Sequence, residues 1–326
     1  MDRNKDIDNL RGLAMLAMII AHATAYFLKD RFAFLIWDFS EWSVVTFLFC
    51  SSYLFYSRDF IFSIKNIVNY VKKRLVRLYL PYFYFLLLLF PLRYFLYTKK
   101  IDFDYIFKNV FFVGGLDLNW LVLIFFQLMF IFPIIYFFKK RSSFLYYLYF
   151  LVSLASSIYY LYVRNWDYRV IMWLPWSITI YFTIFFIDNQ KKWEKLAIAA
   201  VVGFLVFLWS RSLVSNLGHN LTQFYNKYPP NIYHISYGIF STLVLYFISK
   251  KNIFKILGLE GFLNFLSINS YPLFFVHNLA IFVLLWVGVK FSNWFSFFLV
   301  VFGLSSAVVL LMQTSQIVFS HFRVRS

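Results

Sequence analysis

Apolar runs of about twenty residues recur along the whole chain, separated by short polar segments. A helix needs about 20 such residues to cross a hydrocarbon layer ~30 Å thick. The pattern predicts an all-α, polytopic membrane protein with about ten transmembrane helices. They fall near residues 10–28, 33–57, 75–98, 117–138, 143–163, 170–188, 195–210, 232–249, 264–288 and 294–320. No internal repeat, low-complexity tract or soluble domain interrupts the series, so 1–326 reads as a single transmembrane domain.

Composition agrees: 62% of residues are hydrophobic, 25% are aromatic and mean hydropathy is +0.70. The 46 Phe and 25 Tyr read as lipid-facing bulk. A net charge of +17 would suggest a nucleic-acid partner in a soluble protein. Here the basic residues sit in short clusters between apolar runs, which is the positive-inside pattern, and nucleic acid is not expected. Counted on alternate sides, one side holds 20 Lys and Arg and the other 11, so both termini are expected in the cytoplasm. The one cysteine, Cys50, lies within an apolar run; it allows no intramolecular disulfide and suggests no metal site. Ala21-His22-Ala23 imitates a signal-peptidase site, but the residues before it lack a clear positive excess, and the first helix is expected to be retained.

Within that frame the expensive residues stand out. Arg11 and His22 are eleven positions apart, about three helical turns, and so share one helix face at roughly 16 Å. Arg11 alone reads as an interfacial anchor, with Asp8 three residues earlier as a partner. His22 alone could serve packing, yet an ionisable side chain inside a membrane is by default a functional candidate. Helix 2 brings Asp38 and Glu41 inward from the same surface, with His22 about 9 Å and Glu41 about 12 Å below it. A carboxylate at matching depth would orient the imidazole and raise its basicity, as a general base requires. The expected catalytic set is therefore His22, Glu41 and Asp38.

Arg74 and Arg77 share a face at the start of helix 3, next to Pro81, where a kink is expected. Two guanidinium forks suit a phosphorylated ligand, or, more blandly, anionic lipid. Asn119, Trp120, Tyr271 and His277 are further candidates for substrate contact or structure; a tryptophan at an interface is ordinarily belt material. The long outward connections, near 99–116 and 211–231, are either tethers or binding loops. The second contains Tyr228-Pro229-Pro230-Asn231, which forces an extended lead into helix 8.

Taken in order, these segments resemble the acyltransferase-3 family of integral membrane acyltransferases. Ile7-Asp8-Asn9-Leu10-Arg11-Gly12 through His22 matches its LDxLRG opening and R-x10-H pair. Phe47-Leu48-Phe49-Cys50-Ser51-Ser52-Tyr53-Leu54 is similar to its FFxxSGYL segment, with Ser52 in place of glycine. Arg74 to Pro81 matches RxxRxxxP. Asn119-Trp120-Leu121 resembles an HLWFL-type segment with Asn for His, which removes a titratable group there. Ser270-Tyr271 with Phe274-Phe275-Val276-His277 resembles the late SY…YLxH segment.

The resemblance implies transfer of an acyl group, usually acetyl from acetyl-CoA, to a hydroxyl of a cell-envelope glycan or lipid-linked sugar. The implied setting is a bacterial inner membrane. Coenzyme A phosphates would engage Arg11, Arg74 and Arg77, and the thioester would thread toward His22, which would be acylated itself or deprotonate the acceptor. Some members carry an extra outward SGNH-type domain; this chain is expected to act alone, as an oligomer or with a separate partner transferase. A transporter or flippase of a lipid-linked or acylated sugar is the alternative, since buried ionisable groups also line transport pathways.

Overall fold

The computed structural model describes residues 4–97, 101–163 and 168–323, with side chains to residue 314. Arg3, Lys99, Lys100, Arg164 and Arg325, used in the charge count, lie outside the described residues. In chain order the helices are α1 (Lys5–Thr24), α2 (Arg31–Phe39), α3 (Trp42–Tyr56), α4 (Ile64–Tyr97), α5 (Phe103–Val110), α6 (Asn119–Arg141) and α7 (Ser143–Tyr162). Short α8 (Tyr168–Ile171) and α9 (Trp173–Trp176) lead into α10 (Ile178–Asn189), α11 (Trp193–Asn216) and α12 (Ile232–Lys250). Then come α13 (Ile253–Ile256), α14 (Glu260–Ile268), α15 (Ser270–Trp286) and α16 (Trp294–Arg323).

Polar residues set many boundaries. Asn4 caps α1 by accepting from the Asp6 and Ile7 amides, and Asp30 caps α2 from Phe32 and Ala33. Ser142 closes α6 and opens α7 in an extended conformation, so those helices run antiparallel through one residue. Pro229 and Pro230 precede Asn231, whose extended backbone and side-chain cap start α12, as the sequence predicts.

Among the described residues, eight spans are long and apolar enough to cross a membrane, and the bent pair α14–α15 makes nine. Three expected helices are interrupted. The second divides at Ser40–Glu41 into α2 and α3, and the sixth into α8, α9 and α10. The ninth turns through 82° at Asn269 between α14 and α15. Pro272 lies in the first turn of α15, where its missing N–H is tolerated. By contrast, α4 runs unbroken for 34 residues through Pro81 and Pro91.

Of the ten expected spans, the one outside that count is α1. Lys5, Asp6, Asp8 and Arg11 fall within its 20 residues, yet 13 of them are buried. It packs against α2, α3, α12, α14, α15 and α16, which makes it the axis of the bundle. Gly12 permits the closest approach: a β-carbon there would lie 2.3 Å from the Leu263 carbonyl oxygen of α14. The aromatic residues prove to be divided. Phe95 and Phe144 face outward, whereas Phe49, Tyr82, Phe132, Trp176 and Tyr233 are fully buried and form much of the core.

Gly12→Ala should therefore push α14 off α1. Overpacking of this kind costs about 1–3 kcal/mol, to be read as a lower unfolding temperature of the detergent-solubilised protein against a Gly261→Ala control, where the added carbon meets open space.

Candidate active site

The last turn of α1 opens into a cavity of about 750 Å³. His22 lines it, with Glu41 from the α2–α3 break, Trp120 from α6, Asn278 from α15, and Lys227 and Tyr228 from residues 217–231. Residues 217–231 are therefore more than a tether: Asn220, Thr222, Phe224 and Tyr225 also face this space. Burial pushes the Tyr228 phenol well above its ordinary pKa, so it meets any ligand as a neutral hydroxyl.

The expected carboxylate is not what His22 meets. Its Nδ1 lies 2.7 Å from Nε2 of His277, a wholly buried residue on α15. Glu41 instead accepts from Lys227 Nζ at 2.6 Å, both side chains being buried. Lys227 sits in an aromatic cage, 4.9 Å from the Phe224 ring, 4.8 Å from Tyr228 and 5.4 Å from Trp120. The reason is charge: a buried carboxylate gains more from a compensating charge, which lysine supplies and a neutral imidazole does not. Asp38 lies outside the cavity lining and accepts from the backbone N–H of Gln223 at 2.5 Å, pinning the loop. Lys227 carried no sequence signal beyond its place beside the two prolines.

Toward the other end of α1 lies a smaller cavity of about 130 Å³, lined by Arg11, Ser51, Arg74, Arg77, Ser270 and Tyr271. Three guanidinium groups from α1 and α4 converge here, a donor set able to hold a multiply charged phosphate ligand. Arg74 reaches the Ser51 hydroxyl at 3.4 Å, and the Tyr271 hydroxyl donates to the Leu78 carbonyl at 2.5 Å, tying α15 to α4. The two cavities share three wall residues, Met18, Leu121 and Phe274. Arg11 and His22 thus mark two adjoining chambers separated by apolar side chains.

The other candidates fall into place around this axis. Asp8 accepts from Ser267 Oγ at 3.1 Å, and Asp6 from Ser249 Oγ at 2.8 Å, so the acidic start of α1 is tied to α14 and α12. Asn119 is wholly buried outside both cavities; its amide donates to the Gly114 carbonyl and its oxygen accepts from Arg169 at 2.5 Å. An asparagine can make both bonds at once, one as donor and one as acceptor. Trp120 is wall rather than belt: its ring meets the Tyr228 ring edge-on at 4.9 Å and stacks over Trp176 at 6.5 Å.

A polytopic helical bundle with a histidine in one cavity and three arginines in the adjoining one has the architecture of an integral membrane protein. The chain is a member of the acyltransferase-3 family, whose model of an acyltransferase domain matches residues 4–313, nearly the whole sequence. Neither a curated protein nor a solved structure matches it.

Removing one partner from a buried ion pair strands the other and costs about 3–5 kcal/mol. Glu41→Gln and Lys227→Met should each destabilise by about that much, and the double variant should recover most of it. Thermal unfolding of the three proteins in detergent tests this; additive losses would show that the pair is not coupled.

Proposed function

We propose that this membrane acyltransferase takes an acyl group, acetyl in the first instance, from acyl-CoA and transfers it to a hydroxyl of a glycan or lipid-linked sugar. The observation that carries the reading is the pair of adjoining cavities on either side of Met18, Leu121 and Phe274, with His22 in the wall of the larger and three arginines in the wall of the smaller. Arg11, Arg74 and Arg77 suit the phosphates of coenzyme A, and the narrow space beyond them suits the pantetheine arm. The larger cavity, walled by Trp120, Tyr225 and Tyr228, offers aromatic faces and polar rims of the kind a sugar ring uses.

In the reaction, His22 Nε2 takes the proton of the acceptor hydroxyl as its oxygen attacks the thioester carbonyl. The carbon–sulfur bond breaks, and the proton passes to the departing thiolate, leaving an ester and free coenzyme A. The charge bias of the loops favours an orientation with both termini and the arginine cavity on the cytosolic side. A bacterial cytoplasmic membrane as the setting is what the family resemblance implies.

The test is acetyl-CoA binding and thiol release by purified protein in nanodiscs. His22→Ala should bind the donor normally while turnover falls by about 10²–10⁴-fold. Arg77→Ala should raise the donor Kd by roughly 10–100-fold, the worth of a hydrogen bond to a charged group. Unchanged turnover in the first, or an unchanged Kd in the second, would remove those roles. Sugar translocation without thiol release would mark a transporter instead.

A further inference from the structure

The scheme above leaves His277 without a role. Its hydrogen-bond partners nevertheless determine where each ring proton lies. The Leu273 carbonyl, 2.7 Å from His277 Nδ1, can only accept, so that nitrogen carries a hydrogen. Asn278 Nδ2 donates to the Phe274 carbonyl at 2.7 Å, which fixes the orientation of the amide. The same Nδ2 lies 3.3 Å from His277 Nε2, so the neighbour facing that nitrogen is a donor group and not an acceptor. A neutral imidazole protonated at Nδ1 presents a bare lone pair at Nε2.

The 2.7 Å contact between His22 Nδ1 and that lone pair is then a hydrogen bond donated by His22. The ring centroids are 5.0 Å apart and the planes differ by 13°. So short a nitrogen–nitrogen distance at that separation requires the rings to meet edge to edge, where an N–H points directly at a lone pair. With its hydrogen on Nδ1, His22 has Nε2 unprotonated.

We infer that His277 is a positioning residue that locks His22 in the Nδ1–H tautomer, the one that leaves Nε2 free to accept a proton in the larger cavity. In the opposite tautomer His22 would present an N–H to the acceptor hydroxyl and could not take its proton. The inference rests on the proposed acyl transfer for its catalytic meaning, although the tautomer itself does not. The device uses a neutral partner where a buried carboxylate is the familiar one, because Glu41 is held by Lys227 and Asp38 by the Gln223 backbone. As His22 gains the acceptor proton at Nε2, its Nδ1–H bond to His277 strengthens. When that proton leaves for the thiolate, His277 is unchanged.

Two measurements test this. In ¹⁵N-histidine-labelled wild-type protein in nanodiscs, the His22 signals, identified by their loss in His22→Ala, should show a protonated Nδ1 and an unprotonated Nε2. The reverse assignment overturns the inference without reference to activity. In thiol-release assays, His277→Leu should lower turnover by about 10²-fold or more with the donor KM unchanged, since a serine protease with its histidine in the wrong tautomer loses about 10⁴. His277→Gln places an accepting amide oxygen near the position of Nε2 and should restore turnover to within about tenfold of wild type. Wild-type turnover in the leucine variant, or a glutamine variant as impaired as leucine, overturns the role; if the leucine variant fails to fold, the spectrum of the wild type decides. Wild-type protein that releases no thiol from acetyl-CoA would defeat the acyl-transfer reading while leaving the tautomer assignment intact.

Discussion

Polar groups held away from water must be satisfied by protein, and α1 concentrates that demand on one helix. Asp6 and Asp8 find the hydroxyls of Ser249 and Ser267, Asn9 donates to Ser249, and His22 donates to His277. Each of those partners lies in the last third of the chain. The bundle closes around α1 because that is how its polar face is solvated, and the absence of a side chain at Gly12 lets α14 come close enough to do so. Burial of an unusually polar helix thus sets the positions of α12, α14 and α15, and with them both cavities.

That polarity also separates the chemistry. Arg11 lies near the start of α1 and His22 in its last turn, so one rigid helix fixes the distance between a cationic chamber and a basic nitrogen. Met18 stands between them on the same helix, beside Leu121 and Phe274. A flexible loop could not hold two chambers in such constant register.

Much of this was legible in the sequence and some was not, for identifiable reasons. Helix α7, expected at 143–163 and found at Ser143–Tyr162, is marked by apolar length and by a serine cap, both local signals. The common face of Arg11 and His22 follows from helical periodicity alone. The partners do not. His22 meets a residue 255 positions away and Glu41 one 186 positions away, and depth within a membrane does not distinguish such neighbours. Reading depth alone assigned the wrong partner to the imidazole. Breaks were hidden for a similar reason: the 82° turn at Asn269 is held by contacts from other helices, including Gln313, whose amide donates to the Asn269 side chain at 2.6 Å. The aromatic excess looked like lipid-facing bulk because composition carries no direction.

The position of α1 has a consequence for biosynthesis. It is made before every helix that encloses it, and with four charged residues among its first seven it is a poor candidate for holding a bilayer by itself. Most of the segments that enclose it, α12 and α14 to α16, are translated long after it. The helix must therefore wait, near the membrane but without these neighbours, until they too have been made. Long-range closure of this kind is slow compared with local helix formation. The two histidines meet only once α15 has been made, so a chain halted before it has helices but no assembled His22–His277 pair.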